Sequence, residues 1–140
     1  MTPTHINRVY KWLSLFLCIS FGLVGIIFLV IPGDVILFFN RASALFGLDE
    51  APREIHGFYL ILAVAYMYFV TLLAWMMFRR PEQKLYLWLL VHAKSASSLL
   101  SVLMFLIHRH YLIYVTNAIV DGSIAVLLLV VYALLKMDAE

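Results

Sequence analysis

Lys94 and Asp121 are the residues of this chain that most need a chemical explanation. Lys94 stands in VHAKSASSLLS (Val91–Ser101), a run that otherwise reads as a membrane-spanning helix. Asp121 stands in an equally apolar run, VDGSIAVLLLVVY. At about 1.5 Å of rise per residue, each lies about nine residues, or about 14 Å, inside its helix. Consecutive antiparallel helices would therefore bring the two charges together near the membrane midplane. A lone charge there costs from about 2.5 kcal/mol upward, so such residues turn inward and find partners. Asn117 lies one turn from Asp121 on the same face, Ser98 and Ser101 lie one and two turns from Lys94, and Tyr66 reaches the same depth from another segment. Together they form an intramembrane polar seam. Two readings are open: a site for a polar head group, a quinone or a proton, or a device that fixes the register of two helices.

The five histidines raise a second possibility. His56 opens one apolar segment, and His108 and His110 close another on the same side of the membrane. Two imidazoles from facing helices would suit a b-type haem in a four-helix bundle. The competing reading is a set of interfacial histidines without a chemical task. No HExxH or CxxC spacing supports a metal site, and the nearby Asp49, Glu50 and Glu54 serve equally well as loop charges. His92 lies too deep to join the others. No nucleophile–base pair, phosphate loop or carboxylate pair is present, which argues against an enzyme.

Ser14, Cys18, Gly22 and Gly25 recur at spacings of four, four and three along one side of the first apolar run. Small residues in this pattern allow helices to approach closely, within a bundle or between subunits. Cys18, the only cysteine, reads as a small packing residue, since it can form no intramolecular disulfide.

Composition identifies the elements that must position these residues. Of 140 residues 65% are hydrophobic and 13% are charged, with a mean hydropathy of +0.99. A soluble domain is about 45–50% apolar, so lipid must cover the excess. A span needs about 20 mainly apolar residues, and four segments qualify: Val9–Ile31, Ile55–Phe78, Leu85–Ile107 and Leu112–Leu135. The chain reads as a single all-α domain, an antiparallel bundle of four transmembrane helices. The first segment follows Arg8 and Lys11 as a signal peptide would, but its length and lack of a cleavage pattern mark it as a retained helix. A net charge of +2 gives no reason to expect nucleic acid.

Arg8, Lys11, Arg79, Arg80, Lys84 and Lys136 flank the spans on one side, against Arg41, Arg53 and Arg109 on the other. By the positive-inside rule both termini face the cytoplasm. Tyr10, Trp12, Tyr86, Trp88, Tyr111 and Tyr114 sit near span ends and read as interfacial belts. Between the first two spans, VILFFNRASALFG is amphipathic, with Asp34 at the expected N-cap and Gly47 at the expected stop. It reads as a short interfacial helix, an anchor in the membrane surface or a lid over a pocket.

With the four spans in view, the chain resembles the DoxX-like group of small four-helix bacterial membrane proteins. The likeness rests on FGLVGIIFLVIP in the first span, the apolar loop ending in LFGL, the HGFYLILA opening of the second, and HAKSASSLL and VDGSIAVLLLVVY in the third and fourth. It implies a multi-pass protein of the inner membrane that serves as an accessory partner in redox or quinone-linked processes. It carries over no active-site residue.

The expected function is a non-enzymatic integral subunit or accessory component of a redox- or lipid-linked membrane complex, associating with the bilayer and with copies of itself or other membrane subunits. The alternatives are a haem- or quinone-binding electron carrier and a small transporter or proton-conducting element. Four unbroken spans leave a transport pathway little room.

Overall fold

The computed structural model describes residues 3–54 and 57–137. Five helices follow one another: α1 (Pro3–Val30), α2 (Pro32–Phe46), α3 (Gly57–Arg79), α4 (Leu85–Ile107) and α5 (Leu112–Met137). Apart from α2, all are long and apolar enough to cross a membrane. The chain is a small polytopic membrane protein. Along the outer sides of the helices run large exposed apolar residues such as Phe16, Leu23, Ile61, Leu99, Ile119 and Val126, a surface suited to a bilayer.

The four long helices pack as a ring. α1 lies along α3 and α4 lies along α5, both extensively; α3 joins α4 more lightly, and α1 meets α5 over only a short stretch. Four crossings bring the two termini to one end of the bundle and α2 to the other. Gly22 and Gly25 face α3, at Thr71 and Met67. Ser14 is buried, its hydroxyl donating to the Tyr10 carbonyl, and Cys18 packs against the core half-buried.

α1 and α2 are separated by one residue. Pro32 has no N–H to continue the α1 ladder, and the residue before a proline is pushed out of the helical region. Ile31 accordingly takes φ −132° and ψ 51°. The new helix starts at once, because a proline in the first helical position sacrifices no hydrogen bond. Asp34 is therefore not the N-cap that the sequence suggests; it lies in the first turn. Gly47 does end the helix, with φ +63° and its N–H on the Ser43 carbonyl.

The inward face of α2 consists of Ile36, Asn40 and Ser43, while Phe38, Leu45 and Phe46 point outward. Asn40 receives the Ala51 N–H on Oδ1 and donates through Nδ2 to the Ala51 carbonyl, both at 2.8 Å. Beyond it, the Asp49 N–H donates to the His110 carbonyl at 3.2 Å. The returning loop is thus tied both to α2 and to the turn between α4 and α5.

Burial is unevenly distributed along the bundle. On α1 the buried apolar residues are Ile6, Tyr10, Leu17 and Phe21; on α3, Val70, Leu73, Ala74 and Met77; on α4, Leu87, Leu90 and Val91; on α5, Ala125, Leu128, Val131 and Leu135. None of them lies nearer the α2 end than the level of Phe21 and Lys94. The terminus half of the bundle holds the core, and among the described residues the only buried apolar side chain of the α2 half is Ile36. Tyr10, expected in an interfacial belt, belongs to that core and is wholly buried, because the helix begins at Pro3 and carries this tyrosine well inside the bundle. Trp12, one position beyond Lys11, is exposed as a belt residue would be.

Candidate functional site

At the boundary between the packed and unpacked halves, the four spans each contribute one side chain. Phe21 lies nine residues before the end of α1, and Tyr66, Lys94 and Asp121 lie nine residues after the starts of α3, α4 and α5. The Lys94 ammonium donates to Asp121 Oδ1 at 2.8 Å, with side-chain exposures of only 3% and 5%. The ammonium also lies 4.3 Å from the centre of the Phe21 ring and 5.2 Å from that of Tyr66. Two aromatic faces thus replace part of its hydration shell, a contact that strengthens when desolvated. The Tyr66 hydroxyl is anchored on the Ala93 carbonyl at 3.2 Å.

The carboxylate is only half used. Asp121 Oδ2 is buried and has no hydrogen-bond partner among the described residues. Burying a carboxylate oxygen unpaired is costly, so this atom marks where the site has capacity to spare. Asp121 is also one of the residues lining a cavity of about 410 Å³ that extends from the ion pair into the unpacked half. Its polar lining runs along α4 and α5: Lys94, Asp121, Asn117, Ser97 and Ser101. The rest of the lining is apolar and aromatic: Phe21, Val24, Phe28, Ile113, Tyr114 and Ile124, with Ala63, Tyr66 and Met67 from α3. Val24 and Val120, which flank the gap between α1 and α5, are 39% and 49% exposed. The cavity therefore faces the surrounding lipid where the ring of helices is thinnest.

The remaining seam residues divide into two groups. Asn117 Nδ2 donates to Ser97 at 3.0 Å and to Ser101 at 2.8 Å, bridging α5 to α4 at the cavity wall. Ser98 instead turns away and donates to the Ala118 carbonyl at 2.8 Å, pinning the two helices where Gly122 leaves room for it. So Lys94, Asp121, Asn117, Ser101 and Tyr66 share one site, and Ser98 serves the helix contact beside it.

Sequence reasoning overlooks four contributors. Ser97 is three residues from Lys94 and four from Ser101, hence on the same face, but it is one of four serines in the segment and nothing in the sequence favours it over Ser98. Tyr114 sits near a span end like any belt residue, although it lines the cavity. Phe21 and Phe28, one apolar residue among many in α1, carry no sequence signal at all.

The histidines lie elsewhere. His56 falls outside the described residues. His108 caps α4 and is exposed. His110 is exposed, stacks edge-on against Phe105 at 4.9 Å, and its backbone N–H points to Asp49 Oδ2 at 3.4 Å. Among the described residues no three His, Cys, Asp or Glu side chains gather as a metal-binding group.

No protein-family model matches the chain, and no curated protein or solved structure matches it either, so its own geometry has to support any functional reading.

Proposed function

We propose that this protein is a small, non-enzymatic membrane component that holds an amphiphile, a molecule with a compact polar head and an apolar body, in the unpacked half of its bundle. One observation carries the reading: a cavity lies directly against a buried ion pair whose two residues help to line it. Small-molecule sites are typically about 300–1,000 Å³, mostly apolar, with a few convergent polar groups. A volume of about 410 Å³ with a mostly apolar lining and a few polar side chains fits that description. A pair that served only to fix register would need no space beside it.

Such a holder suits an accessory subunit of a redox- or lipid-linked complex, working with copies of itself or with other subunits, and a quinone or a lipid is the natural cargo. The resemblance to the DoxX-like proteins points the same way. The basic flanks favour termini in the cytoplasm of a bacterial inner membrane, an orientation in which the cavity opens toward the outer leaflet.

The test is to extract the protein with its surrounding lipid in polymer-bounded nanodiscs and identify the co-purifying small molecules by mass spectrometry. Enrichment of one amphiphile over the bulk membrane, lost on filling the cavity with Ala63→Trp, is the expected result. Identical composition in both samples would refute the reading. An absorption spectrum of the same sample, oxidised and then reduced, checks haem b at His56 with His108 or His110.

A further inference from the structure

We infer that the amphiphile held by this protein is a lipid with a small uncharged head and two apolar chains, and that its second chain lies in a further cavity along α4. The inference rests on the amphiphile reading above and specifies its chemistry.

This second cavity has a volume of about 390 Å³, close to that of the first. Tyr66, Ser97, Ser101 and Tyr114 line both, so the two spaces meet at those side chains. Their open sides differ. The first cavity is open at Val24 and Val120, between α1 and α5, whereas the second is open along α4, where Leu100 and Met104 are 57% and 41% exposed.

Polarity follows the same plan. Outside the four shared residues, the second cavity is lined only by Ala93, Ala96, Leu100 and Met104, all apolar. In the first cavity the other polar residues adjoin the shared serines: Asn117, itself exposed, donates to both, and Lys94 lies one turn before Ser97. Polar groups therefore gather where the two spaces meet, and apolar lining extends from there on both sides. A single-chain amphiphile would use one side of this arrangement. A head joined to two chains uses both.

Charge restricts the head. Among the described residues, Lys94 and Asp121 are the only charged ones lining either cavity, and they neutralise each other across 2.8 Å. A phosphate or ammonium head would enter with no counter-charge left for it, and burying an uncompensated charge is strongly unfavourable. A diacylglycerol has the required form.

The experiment compares three lipids bound to the detergent-solubilised protein by native mass spectrometry: dioctanoylglycerol, monopalmitoylglycerol and dioctanoyl phosphatidic acid. The first two carry the same number of acyl carbons, on two chains and on one. Each buried methylene strengthens binding about four-fold, so two that only the second cavity can take make a difference of about ten-fold. Dioctanoylglycerol is expected to bind about ten-fold or more tighter than monopalmitoylglycerol, and tighter than the phosphatidic acid. Ala96→Trp, which fills the second cavity, should remove that advantage and leave monopalmitoylglycerol unchanged. Leu100→Trp, one turn further on, should do the same and stands in if the first variant does not fold. Equal binding of the two glycerols, or an advantage that survives both substitutions, overturns the inference while leaving the amphiphile reading intact. So does tighter binding of the phosphatidic acid. Failure of all three lipids to bind, or binding that survives Ala63→Trp in the first cavity, removes both readings together.

Discussion

Gly25 of α1 stands so close to α3 that a Cβ on it would lie 3.1 Å from the Cβ of Met67, whereas at Gly22 the nearest atom, the Thr71 methyl carbon, would be 3.7 Å away. The first separation is tighter than nearly all such contacts, and the atom concerned is fixed to the α3 backbone. The second is ordinary contact. Gly22→Ala and Gly25→Ala gain the same helix propensity, about 1 kcal/mol, so their difference reads the contact alone. Gly25→Ala is expected to be less stable than Gly22→Ala by about 1–3 kcal/mol, the usual range for overpacking. Unfolding of both variants in mixed detergent micelles tests this.

The ion pair makes a non-additive prediction. Lys94→Met leaves Asp121 buried and uncompensated, and Asp121→Asn does the same to Lys94. Each should cost about 3–5 kcal/mol. The double variant removes both charges and should recover most of that loss. A double-mutant cycle in which the two losses simply add would mean that the groups titrate or hydrate instead of pairing.

Asn40 makes a chemical distinction possible. Its amide meets both backbone groups of Ala51. Asn40→Asp keeps the acceptor for the Ala51 N–H but sets a carboxylate oxygen against the Ala51 carbonyl. Asn40→Leu loses both bonds, leaving two part-buried backbone groups at a cost of about 1–3 kcal/mol each. Hydrogen exchange at the Ala51 amide should accelerate in both variants. Exchange unchanged from the parent would show that the loop is held elsewhere.

Lys84, between the α3 and α4 spans, donates to the Pro81 carbonyl at 2.7 Å and lies 4.7 Å from the Tyr10 ring centre. Burial pushes its pKa below the ordinary 10.5, with the charge of Glu82 opposing the shift. A lysine whose folded value is lowered binds fewer protons folded than unfolded in the window just under 10.5. Stability therefore rises with pH through that window, and Lys84→Met should flatten the slope. Amine labelling of Lys84 followed by mass spectrometry should show a rate that inflects below 10.5. An inflection at or above that value contradicts the shift.

Much of this architecture is legible in the sequence because a bilayer leaves few choices. Leu85–Ile107 is a helix with the very bounds its apolar run suggests, since backbone groups in lipid must be satisfied within the segment. The meeting of Lys94 and Asp121 follows from equal depth on consecutive helices. The uneven packing of the two halves was not legible. Leu17 and Leu23 look alike in sequence, yet one is buried and the other 56% exposed, because helix rotation and the closeness of α1 to α3 decide the matter. The cavity arises from that same packing, so Phe21, Phe28 and Tyr114 carry no local sign of their role.

The separation of Lys94 from Asp121 by 27 residues also matters while the protein is being made. Lys94 leaves the ribosome before its counter-charge exists. α4 is the least hydropathic of the four spans, and a central lysine adds about 2.5–3.5 kcal/mol against insertion on the translocon scale. On its own, α4 is a poor candidate for release into lipid. The energetics favour its waiting at the insertion machinery until α5 arrives, so that the two enter the bilayer as one hairpin with the charge already answered.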